Sequence, residues 1–86
     1  MRQPLLTLLG EPVYEGDLLC HVYSATLRRR VFKLHAVGEA PDRLVQYDSL
    51  CPCGRVYHAY EHIDLFAGFW RVATEAEELE TLSWML

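Results

Sequence analysis

"RLVQYDSLCPCGRVYHAY", residues 43–60, decides how this chain is read. Two strand-like runs flank Cys51, Pro52, Cys53 and Gly54. In "RLVQYDSL" (43–50), Val45 and Tyr47 alternate with Gln46 and Asp48, the period-two pattern of a half-buried strand. "RVYHAY" (55–60) is rich in β-branched and aromatic side chains, which suit a pleated surface. Between the runs, Pro52 takes the second position of a type I turn and Gly54 the fourth, each where that turn favours it. A type I turn followed by a left-handed glycine is a common hairpin connection. The stretch therefore predicts a β-hairpin with cysteines at its tip.

The same residues also spell a metal site. Cys51, Cys53, His58 and His62 form C-x-C-x4-H-x3-H, and structural zinc takes four Cys and His ligands. A metal would stabilise so small a domain. The geometry opposes this reading. An extended 55–60 carries His58 about 13 Å beyond Gly54, at about 3.3 Å per residue. The single residue between the cysteines is proline, which has no N–H to turn toward a thiolate. The hairpin is the preferred reading, and zinc is the only cofactor retained as an alternative.

Working outward, three more segments read as strands: "LLCHVYS" (18–24), "RRRVFKLHAV" (28–37) and "GFWRVA" (68–73). In the second, alternation puts Phe32, Leu34 and Ala36 on one face and Val31, Lys33, His35 and Val37 on the other. "GEAPD" (38–42) is a loop, and "EHIDLFA" (61–67) a short helical turn. "PLLTLLG" (4–10) fits one or two helical turns, with Pro4 early and Gly10 as the stop, or a short strand. "EPVYEGD" (11–17) reads as a turn.

The tail 74–86 predicts a helix. Thr74 is its N-cap, and Glu77 completes a capping box. Glu75, Glu77 and Glu78 complement the helix dipole. Ala76, Leu79, Leu82 and Leu86 form its apolar stripe, with Trp84 off that stripe among glutamates. The expectation is a single domain over 1–86, mainly β. It is a small five-stranded barrel or strongly bent antiparallel sheet over about 12–73, with a C-terminal α-helix.

Val45, Tyr47, Gly54, Tyr57, Phe66 and Trp70 follow a recurring order. A V-x-Y strand leads to a glycine turn, an aromatic strand, a short turn ending in Phe and a last strand. In this the run 43–73 resembles small SH3-like barrel proteins of bacteria and phage. The resemblance implies a barrel fold and no activity. The cysteines and the acidic helix depart from it.

Composition narrows the function. The chain has 86 residues, 51% of them hydrophobic, and a net charge of −4. That charge disfavours non-specific attraction to nucleic acid or to an anionic membrane. Three cysteines, two of them as C-x-C, make a poor disulfide framework and suit a reducing compartment. With an interrupted apolar N-terminal run, this predicts a soluble cytoplasmic protein. No phosphate loop, HExxH or dinucleotide fingerprint is present, so catalysis is not expected.

Glu75, Glu77, Glu78 and Glu80, with Trp84 as an aromatic anchor, form the candidate partner-binding surface, directed at a host or cellular protein with a basic face. By size and charge the chain is similar to phage or mobile-element accessory proteins that bind and inhibit a host protein. The alternative is a zinc-stabilised nucleic-acid adaptor that uses Arg28, Arg29 and Arg30 on phosphates. A second copy of the chain, paired through the apolar stripe of the helix, is a further expected partner.

Overall fold

A computed structural model describes residues 3–23, 28–37 and 43–85. Its strands are β1 (Leu6–Leu8), β2 (Glu11–Val13), β3 (Leu19–His21), β4 (Arg30–Val37), β5 (Leu44–Leu50), β6 (Val56–His62) and β7 (Trp70–Val72). Helix α1 (Ile63–Phe69) lies between β6 and β7, and α2 (Glu75–Trp84) follows β7. The fold is mainly β. Five strands form an antiparallel sheet in the order β6-β5-β4-β3-β7, and β1 pairs with β2 in a separate hairpin. Strands β6 and β7 end the sheet without pairing to each other, so it is open rather than a closed barrel. Of the two expected architectures, the open sheet is the one adopted.

The hairpin at 43–60 forms as its turn chemistry dictates. Gly54 N–H donates to the Cys51 carbonyl at 2.9 Å, and Cys51 N–H to the Arg55 carbonyl at 3.1 Å. Gly54 has φ +85°, the left-handed conformation that glycine adopts at no steric cost. Leu50 pairs with Val56 across the turn, and the register continues to Leu44 opposite His62.

Strand β4 departs from simple alternation. The register shifts between Val31 and Lys33, and again between Leu34 and Ala36. An inserted residue reverses which face the following side chains occupy. Val31 and Leu34, expected on opposite faces, therefore both pair with β5 residues of the core face, Ser49 and Tyr47. Val31 is fully buried, whereas Phe32 is only half-buried.

The core fills one face of the sheet. Leu19, Val31, Val45, Tyr47 and Trp70 meet Leu6, Leu8 and Val13 of the β1–β2 hairpin and Phe66 of α1. Phe66 stacks on Trp70 at 5.8 Å and meets Tyr47 at 5.1 Å between ring centroids. The segment read as helix or strand at 4–10 is thus a strand, and Glu11–Val13, read as turn, is its partner. Leu9 and Gly10 join them with φ of 51° and 83°, the two positive values a type I′ hairpin turn requires. The short helix begins at Ile63 and runs through Phe69, so the last strand starts two residues later than expected. The predicted loop 38–42 lies outside the described residues. No described helix is long and apolar enough to cross a membrane.

Candidate functional site

The second face of the sheet is built from different chemistry. Cys20 pairs with Arg30 on β4 and Arg71 on β7, and Arg30 pairs with Leu50, so these four side chains share that face. Helix α2 covers them with acidic and aromatic groups. Glu77 receives both guanidinium nitrogens of Arg71 at 2.7 Å. Glu80 accepts from Arg30 at 2.8 Å and lies 3.1 Å from Arg28. The Arg30 guanidinium sits over the Trp84 ring at 4.6 Å, with Arg28 at 5.6 Å. Thr81 is buried between these groups, its hydroxyl donating to the Glu77 carbonyl at 2.7 Å.

The capping box that starts α2 is present: Thr74 Oγ accepts from Glu77 N–H, and Glu77 accepts from Thr74 N–H. Glu77 is therefore both cap and clasp. Arg71 holds its carboxyl far below the usual carboxylate range, against the opposing effect of burial. Cys20, fully buried beneath it, has its thiol pushed up to about 11, chiefly by burial. A thiol so placed stays protonated and is a poor nucleophile.

The apolar stripe of α2 faces solvent rather than the sheet: Leu79 is 64% exposed and Leu82 56%. Leu86, the last member of that stripe, lies outside the described residues. The inward positions are Glu77, Thr81 and Trp84, spaced i, i+4, i+7 along one helical face. The sheet offers arginines here, and the helix turns toward them the side chains that satisfy a buried cation.

The expected partner-binding set is thereby split. Glu77, Glu80 and Trp84 are engaged within the chain, while Glu75 and Glu78 face outward with no ion pair among the described residues. Along that outer side an open groove of about 370 Å³ runs between α2 and the β2–β3 turn. Leu18, Leu79, Leu82 and Met85 provide its apolar lining, with Asp17, Glu75 and Glu78 among its walls.

The arginine run is also not a free cationic patch. Arg30 is buried, Arg28 pairs with Glu80, and Arg29 lies over the Tyr57 ring at 4.5 Å. Nor do the four proposed zinc ligands meet. Cys51 and Cys53 are joined to each other as a disulfide, their Cα atoms 5.4 Å apart. That separation falls within the range a disulfide bridges, and it departs from the expectation of free thiols. His62 caps α1, accepting from Asp64 N–H at 3.3 Å. His58 stands opposite Asp48 and contacts its carboxylate.

His58 belongs instead to a cluster that sequence spacing did not reveal. His35 of β4, Asp48 of β5 and His58 of β6 converge on the solvent side of the sheet, beyond the area that α2 covers. His35 Nε2 lies 2.8 Å from Asp48 Oδ1, and His58 Nδ1 contacts the same oxygen. Burial alone would raise the Asp48 pKa, but hydrogen bonds from His35 and His58 outweigh it and hold the carboxyl below its ordinary value. Among the described residues, no other group of three or more His, Cys, Asp or Glu side chains is placed to share a cation. The available signal was the hairpin register, which sets residue 48 opposite residue 58.

No family model matches the chain, and neither curated proteins nor solved structures offer a significant match.

Proposed function

We propose that the chain is a non-catalytic protein-binding module whose ligand is a basic, amphipathic segment of another protein. The observation that carries this reading is the outward face of α2. Leu79, Leu82 and Met85 are each more than half exposed beside Leu18, although buried positions were open to them on a helix that docks by its opposite side. A contiguous apolar strip rimmed by polar groups is the usual form of an interaction surface. The rim acids Asp17, Glu75 and Glu78 select a cationic partner by charge complementarity. A second copy is a poorer fit, because α2 has no lysine or arginine to set against those acids. An acidic module bound over a basic segment blocks that segment, which is how an inhibitory accessory protein works.

The test is a titration of the full chain with two labelled amphipathic helical peptides of equal length, one lysine-rich and one glutamate-rich. The lysine peptide is expected to bind, to weaken as salt rises, and to lose about tenfold or more in affinity on Leu79→Ser with Leu82→Ser. Equal binding of both peptides, or of neither, would overturn the reading. So would a concentration-dependent dimer in sedimentation that the same two substitutions dissolve.

A further inference from the structure

The cluster on the open part of the sheet has the composition and placement of a metal centre. Its three residues come from three adjacent strands, and the hairpin register and a β-bulge align them. Asp48 faces His58 in the β5–β6 ladder. In the β4–β5 ladder Leu34 pairs with Tyr47 and Ala36 with Gln46, leaving His35 as the extra, unpaired residue of the bulge. Bulges re-aim side chains, and this one directs His35 at Asp48. The donor atoms of all three lie within 4.8 Å of one another. They open into a depression of about 530 Å³ flanked by Gln46 and Tyr60.

We propose that His35, Asp48 and His58 bind a divalent transition-metal ion of the zinc class. Two imidazoles and one carboxylate suit zinc and its neighbours in the first transition row. A tetrahedral ion about 2.0–2.1 Å from each donor needs donors about 3.3 Å apart. The His35–Asp48 pair, at 2.8 Å, opens by about half an ångström to admit it, and the closer His58–Asp48 contact opens further. Three protein ligands leave a coordination position that faces solvent, for water or a group from a partner. Lys33 stands in the same cross-strand row but makes no ion pair with Asp48, and it is exposed, with room to swing away. The rigidity of three paired strands limits the reorganisation that binding requires. The disulfide at the hairpin tip removes Cys51 and Cys53 as competing ligands.

The experiment uses the full chain with its disulfide intact, freed of metal by a chelator and titrated with Zn2+ in a calorimeter. One ion per chain is expected, with affinity falling about tenfold or more in His58→Gln and in Asp48→Asn. The double variant Cys51→Ser with Cys53→Ser is expected to bind like the parent. Circular dichroism checks that each variant folds. Histidine ring NMR signals of the unmodified chain supply a readout independent of any substitution: those of His35 and His58 shift on adding Zn2+, while those of His21 stay. No heat and no shift at millimolar Zn2+ would mean a hydrogen-bonded clasp that excludes metal, and would overturn the proposal. So would binding that survives Asp48→Asn in a folded variant, or binding lost only with the cysteines.

Discussion

The two faces of the five-stranded sheet are held by opposite means. One is sealed by Phe66, Trp70, Tyr47 and the aliphatic side chains of β1 and β2. The other is closed by an arginine–glutamate clasp under α2 and then left open at His35, Asp48 and His58. Apolar burial is non-directional and scales with area, so the first face tolerates small local repacking, while a one-residue slip of register would turn its side chains outward. Charge-assisted hydrogen bonds work only at fixed geometry. The second face therefore fixes where α2 sits and which of its sides points outward. The first face carries the apolar core, and the second carries the α2 clasp and the His35–Asp48–His58 cluster.

The sharpest way to break this contrast is through the first face. Phe66 is fully buried among aromatic rings. Phe66→Ala is expected to cost about 3–5 kcal/mol in urea denaturation, enough to unfold much of a marginal domain at room temperature.

The second face is expected to respond less to deletion and more to pH. Glu77→Gln removes a bidentate pair and part of a helix cap, for roughly 2 kcal/mol. The folded carboxyl titrates below its unfolded value, so its contribution is complete above about pH 4–5, where an unfolded glutamate is ionised. It is lost as the pH falls from there toward the folded pKa. The parent is thus expected to lose stability on acidification, and the glutamine variant to lose less of it. Melting temperatures measured from pH 7 down to pH 3 decide this. Parallel curves for the two proteins would remove Glu77 from the account.

The smallest effect is a gain. Leu9 sits at φ 51° on an exposed turn, where a leucine side chain clashes with its own backbone. Leu9→Asn is expected to stabilise the hairpin that roofs the first face by about 0.5–1 kcal/mol, measured as a rise in the denaturation midpoint.

Several elements could be read from the sequence because their signals are local. The Cys51–Gly54 turn, the strands on either side and the Thr74–Glu77 capping box each occupy a few adjacent residues whose chemistry permits one local structure. The β1–β2 hairpin was ambiguous for the same reason. A leucine at a position that favours asparagine or glycine hides a type I′ turn. Which side of α2 meets the second face was not legible. An apolar stripe on an amphipathic helix ordinarily points inward, and nothing within residues 74–86 says that the sheet beneath offers Arg30 and Arg71. The His35–Asp48–His58 cluster was hidden more completely, because its members meet only once two register shifts in β4 are known. The arginine run was ambiguous in sequence. Three adjacent cations look like a phosphate site until Glu80, Trp84 and Tyr57 are found beside them.

The arginines beneath α2 also bear on how the chain reaches this fold. Helix α2 follows every described strand, so a sheet formed from the residues before it has this face uncovered until α2 docks. An apolar face left waiting would be sticky. A face presenting Arg30 and Arg71 stays hydrated until Glu77 and Glu80 arrive to neutralise it. A fragment that stops after Ala73 should accordingly stay dispersed in light scattering, and a double Arg30→Leu, Arg71→Leu version of it should aggregate.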